Sequence, residues 1–170
     1  MTVVAVAALL LCCPSWLRAQ EADASPEALR GLDGIAVLVH PLGEKLHMAG
    51  LREARLRGIS EAGLKEAGIR VLHEGEDVPA GVPAIEITLT GVREPQGTFY
   101  VFDLDFRLRR GSLVRRGQAE GPDAGWRRRW NGMVAVNRLD QVDGQLRVLL
   151  GEFASVYRSV NRPRPKTAPE

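Results

Sequence analysis

Residues 35–72 carry a strand, a helix and a second strand in direct succession, and that order leaves few folds open. Ile35-Ala36-Val37-Leu38-Val39-His40 is a nearly continuous apolar run closed by Pro41, the pattern of a short strand covered on both faces. From Leu51 to Ala67, the residues Leu56, Ile59, Gly63, Leu64 and Ala67 recur at helical spacing with Arg and Glu between them. Gly68 then stands where a left-handed C-cap belongs, and Ile69-Arg70-Val71-Leu72 follows at once. The two strands are therefore expected to lie parallel in one sheet, joined by a right-handed crossover.

The rest of the pattern changes period. Ile85, Ile87 and Leu89 alternate with Glu86 and Thr88 over residues 84–90, a half-exposed strand. Glu94-Pro95-Gln96-Gly97 reads as a turn into the strongest strand, Thr98 to Leu108. Tyr100, Phe102, Leu104, Phe106 and Leu108 share one face of it, and Asp103, Asp105, Arg107 and Arg109 share the other. A further strand is expected through Trp126 to Trp130, with Asn131-Gly132 as a tight turn toward Met133 to Val136. A long helix from Arg138 to about Val160 closes the pattern, with Asn137 as its expected N-cap and Asp140 in the first turn. Its apolar face is Leu139, Val142, Leu146, Leu149, Leu150, Phe153, Val156, Tyr157 and Val160. The sum is one α+β domain over residues 34–161. It is a two-layer sandwich of a mixed sheet with an N-terminal βαβ unit, then antiparallel strands, and both helices on the same face.

Both cysteines of the chain, Cys12 and Cys13, sit in its leading segment. The apolar run Val3 to Cys13 is too short to span a bilayer as a helix and has the length of a signal-peptide core. Leu17-Arg18-Ala19 offers a cleavage point and Ala22-Asp23-Ala24 a second, so residues 1–19 read as a signal peptide and the body as periplasmic or secreted. No Lys or Arg precedes the apolar run, which leaves that reading without its usual positive start. Lipid attachment at either cysteine would want a small residue before it, where the chain has Leu11 and Cys12. Residues 20–33 read as a mobile linker, and residues 162–170, with Pro163, Pro165 and Pro169, as a disordered tail. Loss of the leader leaves a body without thiols, so stability rests on core packing. With 45% hydrophobic and 26% charged residues and a net charge of +2, the whole chain has the makings of a core and no charge bias toward one class of partner.

Taken in order, these features resemble a family of short, uncharacterised secreted bacterial proteins. The likeness rests on the short first strand, Gly50-Leu51 opening a helix, Ala67-Gly68-Ile69-Arg70-Val71 and a strand led by Pro83. It continues through the long aromatic strand, Trp126, and a closing helix with Phe153, Tyr157 and Asn161. More remotely, the element order is similar to the small α/β domain at the amino end of TolB and in curli-secretion-channel-like proteins. That resemblance implies envelope assembly through protein contacts and brings no catalytic residues with it.

Two constellations carry candidate chemistry. Eight arginines (107, 109, 110, 115, 116, 127, 128 and 129) fall between Arg107 and Trp130 against only Glu120 and Asp123. On neighbouring strands Arg107, Arg109, Arg127, Arg128 and Arg129, with Trp126 and Trp130 on one face, would make a stripe for an anionic glycan or lipid. The plainer alternative is a solvated strand face with the tryptophans in the core. His40 and His73 close the two strands of the crossover unit, the edge where α/β sheets place ligands, with His47, Glu74 and Asp77 near in sequence as a possible metal set. Their spacing matches no ligand signature, and loop histidines are the alternative. Asp103 and Asp105 share a strand face as paired catalytic carboxylates would, but cross-strand ion pairing is the simpler expectation. Gly58-Ile59-Ser60-Glu61-Ala62-Gly63 lacks the spacing of a nucleophile elbow, and no phosphate loop, dinucleotide fingerprint or zinc-protease helix is present.

No catalytic residue and no cofactor is assigned. The reading is a non-catalytic interaction or assembly module of the bacterial cell envelope, with an envelope protein as partner, no nucleic acid, and no transmembrane helix in the mature chain. Binding of anionic envelope polymers and a small metal-dependent hydrolase are the alternatives. The first expects unpaired apolar surface on an exposed sheet face or edge. The second expects salt-sensitive affinity, and the third a cleft between residues 41–50 and 73–83.

Overall fold

The structure, a computed structural model, describes residues 25–72, 78–79, 81–109 and 125–161. Its frame is a mixed sheet of four strands in sequential order: β1 (Ala36–Val39), β2 (Ala84–Arg93), β3 (Phe99–Arg109) and β4 (Arg127–Ala135). β1 runs parallel to β2, with Val37 opposite Ile85, and the other two pairings are antiparallel. The helices are α1 (Glu44–Met48), α2 (Glu53–Glu66) and α3 (Asp140–Val160), and the fold is of the α+β class its periodicities imply.

The crossover unit is present in shortened form. Beyond α2, Gly68 takes φ +75° while its N–H bonds Lys65 O and the Ile69 N–H bonds Leu64 O, a Schellman ending that only glycine adopts without strain. Residues 69–72 then lie parallel to the start of β1, but their ladder is a single bridge, Ile35 to Val71. The Ile35 N–H donates to Arg70 O at 2.9 Å and the Leu72 N–H to Ile35 O at 3.1 Å. Gly34 permits this approach, since a Cβ there would meet Arg70 O at 2.7 Å.

Three expectations are corrected. The turn expected at Asn131-Gly132 is absent, because β4 runs through both residues, with Asn131 opposite Asp103 and Gly132 opposite Phe102. An eleven-residue β3 offers a ladder the length of β4, and the ring of Trp130 lies over Gly132 in space that a side chain would fill. The N-cap expected at Asn137 is also absent. A turn joining the Arg138 N–H to Ala135 O carries the chain into α3, whose N-cap position is Leu139 without a side-chain cap. Lastly, residues 25–33 are not the end of a mobile linker. Pro26–Leu29 forms a 3-10 turn, Leu29 is fully buried in the core, and the Tyr157 hydroxyl donates to Leu32 O at 2.6 Å. Asn161, the last residue of the expected domain, ties this segment to the end of α3. Its Nδ2 donates to Leu29 O at 2.8 Å and its Oδ1 accepts the Gly31 N–H at 2.8 Å. The leader, residues 20–24 and residues 162–170 lie outside the described residues.

One core fills the space between sheet and helices. The interior face of β3 supplies Tyr100, Phe102, Leu104, Phe106 and Leu108, against Leu56 and Leu64 of α2 and Val142, Leu146, Leu150 and Phe153 of α3. Phe106, Trp126 and Phe153 meet edge to face, with centroids 5.0–6.0 Å apart. Each such side chain, fully buried, contributes about 1.5–3 kcal/mol. The two long helices are also joined by Arg55 of α2, whose Nε donates to the buried Asp143 of α3 at 2.9 Å. Among the described residues no helix is long and apolar enough to cross a membrane.

Candidate functional site

With both long helices on one face, the other face of the sheet is left open among the described residues, and its composition changes along the strands. Near β1 lie the charged rows, Glu86–Arg107–Arg127 and Thr88–Asp105–Arg129, followed by Thr90–Asp103–Asn131. At the β2–β3 hairpin end the next row is Val92–Val101–Met133, with Phe99 beyond it. These four side chains are 70%, 49%, 73% and 44% exposed. A run of neighbouring apolar side chains at that exposure on a sheet face is a recognised mark of a contact surface. The hairpin beneath it is well fixed. The Glu94 carboxylate accepts the N–H groups of Gln96 and Thr98 and the Thr98 hydroxyl, and Gly97 turns the chain at φ +77°.

The arginines expected to form a basic stripe divide between the two faces. Arg107, Arg109, Arg127 and Arg129 lie on the open face beside carboxylates. Glu86, buried, receives Arg107 Nη2 at 2.7 Å and lies 3.3 Å from Arg109 Nε, while Asp105 takes Arg127 at 2.8 Å and Asp103 takes Arg129 at 3.4 Å. Asp103 and Asp105 thus serve as cross-strand ion-pair partners, as the simpler reading expected. An incoming polyanion would have to compete with these bonded carboxylates for the same guanidinium groups.

Trp126, Arg128 and Trp130 share a face as their spacing implies, but it is the interior one. Trp126 is fully buried, Arg128 stacks over its ring at 5.2 Å and reaches Glu152 of α3 at 3.3 Å, and Trp130 packs against the core. Strand alternation sends the largest apolar groups inward, so the aromatic half of the stripe is core. Arg110, Arg115 and Arg116 lie outside the described residues.

The histidines do not converge where they are described. His40 Nε2 lies 3.9 Å from Glu86 Oε2 on the open face. His47 Nε2 is held by both carboxylate oxygens of Glu53, at 2.8 and 2.9 Å, and Glu53 also accepts the Leu42 N–H at 2.8 Å. That backbone bond foremost, with the imidazole adding to it, keeps the Glu53 carboxyl below the ordinary carboxylate range. Its work is structural, fastening the unforeseen α1 to the first turn of α2. His73, Glu74 and Asp77 lie outside the described residues, and among the described ones no three His, Cys, Asp or Glu side chains are grouped to hold a metal ion.

The apolar row is what sequence reasoning passed over, although the signal was there. Phe99 and Val101 occupy the face of β3 that otherwise carries Asp103, Asp105 and Arg107, and Val92 and Met133 break the polar alternation of β2 and β4 in the same way. Comparison with protein-family profiles, with curated proteins and with solved structures returned no match.

Proposed function

We propose that this chain is a non-catalytic interaction module of the bacterial cell envelope, docking a protein partner on the hairpin end of its open sheet face. The observation that supports the reading is the exposed row Val92–Val101–Met133 with Phe99. Export to the periplasm belongs to the same proposal and is carried by the short apolar leader and the small residues after it.

A triple variant, Val92→Thr, Val101→Thr and Met133→Gln, tests the docking surface. These positions are exposed, so unfolding stability should stay within about 0.5 kcal/mol of the parent. A photo-crosslinker placed at residue 99 in periplasmic extract should join a discrete partner in the parent and lose it in the triple variant. Equal crosslinking in both, or no adduct in repeated trials, would overturn the docking reading. Recovery of an uncleaved chain from the cytosol would overturn the export reading.

A further inference from the structure

The geometry points to a binding groove for an anionic amphiphile, one acidic head on a short aliphatic chain, on the interior side of the same hairpin. The helical layer stops short there. A cavity of about 440 Å³ opens between α1, the paired ends of β2 and β3, and the passage from β4 into α3. Its lining includes Lys45, Met48, Arg93, Tyr100, Val136 and Leu139. The volume lies within the roughly 300–1,000 Å³ of small-molecule sites.

The groove exists because of a missing side chain. Gly91 sits on the interior face of β2, and a Cβ there would meet Leu46 Cδ2 at 2.8 Å and Phe102 Cε1 at 2.7 Å. Leu46 therefore plugs α1 down onto the sheet, and the His47–Glu53 contact holds the helix in that seat. So placed, α1 brings Lys45 and Met48 to the same cavity as Arg93 and Tyr100.

The lining has the two chemistries that such a ligand requires. Lys45 makes no ion pair among the described residues. Arg93 bonds Gly97 O through Nε and Nη2 and lies 6.0 Å from the Tyr100 ring centroid, and it has no carboxylate partner among those residues. The neighbouring Glu94 is occupied within its own turn. The contrast with the open face, where Arg107, Arg127 and Arg129 each have a carboxylate, marks this pair of cations as available to an outside anion. Tyr100, a residue with a hydroxyl donor, lines the same cavity. Around them the walls are apolar. Met48 is 82% exposed over the opening, and Val136 and Leu139 form the far side. An exposed methionine is a flexible apolar surface suited to an alkyl chain of no fixed shape.

The site is independent of the protein-docking proposal, because Tyr100 and Arg93 face inward while Val101 and Val92 face outward. Amide chemical-shift titration of the chain with decanoate, below its self-association concentration, is the test. Residues of α1, Val136 and Leu139 should shift together. Decanol, which has the chain without the charge, and acetate, which has the charge without the chain, should each bind at least about tenfold more weakly. Lys45→Met and Arg93→Met should each cost about tenfold in affinity for decanoate. Arg93→Lys should restore part of the loss, and the Val101→Thr and Met133→Gln changes should cost none. Decyl phosphate should bind at the same residues. Pelleting of the chain with anionic but not neutral vesicles would identify a membrane lipid as the source of the head group, and binding without pelleting a free amphiphile. Decanol binding as tightly as decanoate, shifts confined to other elements, or full affinity in Lys45→Met would each overturn the assignment.

Discussion

The unbroken course of β4 puts Met133 into the exposed row, and Gly132 is where that course can be tested. An added Cβ at residue 132 would stand 2.2 Å from Trp130 Cζ2 and 2.8 Å from Cε2 and Cη2, far inside contact distance. Gly132 is not among the glycines with positive φ, so its backbone is open to alanine and the clash alone opposes the change. Two effects compete. Replacing glycine in a strand ordinarily gains about 0.4–1 kcal/mol by restricting the unfolded chain. Forcing an indole ring out of its packed rotamer costs about 1–3 kcal/mol. Gly132→Ala should therefore destabilise, on balance by about 1–2 kcal/mol, or roughly 2–4 °C in Tm per kcal/mol. In a Trp130→Leu background the obstruction is gone, and the same change should become neutral or stabilising. The double-mutant cycle, read by urea unfolding with far-UV circular dichroism, should then show a coupling of about 2 kcal/mol. In a tight turn Gly132 would need positive φ, and alanine would cost the same whichever residue stood at 130. Equal costs in the two backgrounds would refute the strand assignment and remove Met133 from the docking row.

Two more outcomes follow from the packing. Glu53 has its carboxyl held below the ordinary range, foremost by the Leu42 N–H, so its stabilising effect is complete above the unfolded-state value and fades as pH falls through the lower folded one. Urea midpoints compared at pH 7 and in the acid range should show Glu53→Gln less stable than the parent at neutrality, with the gap narrowing on acidification; a constant gap would count against the linkage. Asn161→Ala removes the bonds to Leu29 O and from the Gly31 N–H and should cost about 1–2 kcal/mol. Hydrogen exchange should locate that loss first at residues 28–32, and protection unchanged there would contradict it.

Periodicity revealed the parts of the fold that bury a continuous face. The alternation at 100–108 became the interior face of β3, and the apolar stripe from Leu139 to Val160 became α3, because each places many large side chains on one side. Short features decided by a partner were not legible. The five residues of α1 carry too little pattern to declare a helix, and their position depends on the gap at Gly91 and on a carboxylate six residues after His47. Asn131-Gly132 has turn chemistry that the long ladder of β3 overrides. Leu29 is one of two leucines in the otherwise polar and Ala-rich stretch 20–33, and only its burial beside α3 gives it a role. The candidate site was half visible. The arginines were conspicuous, but their carboxylates lie on other strands, and Lys45, Arg93 and Tyr100 are drawn together only by the fold.

The clasp at Asn161 has a mechanical side. Gly31 and Asn161 are neighbours in space although 130 positions apart, so tethers attached ahead of residue 25 and after residue 161 would leave the body from one corner. Tension between two such anchors would load that corner before any rung of the sheet, and its few bonds would give way one after another. The domain would then lengthen by a short peeled segment while its open face and groove kept their shape.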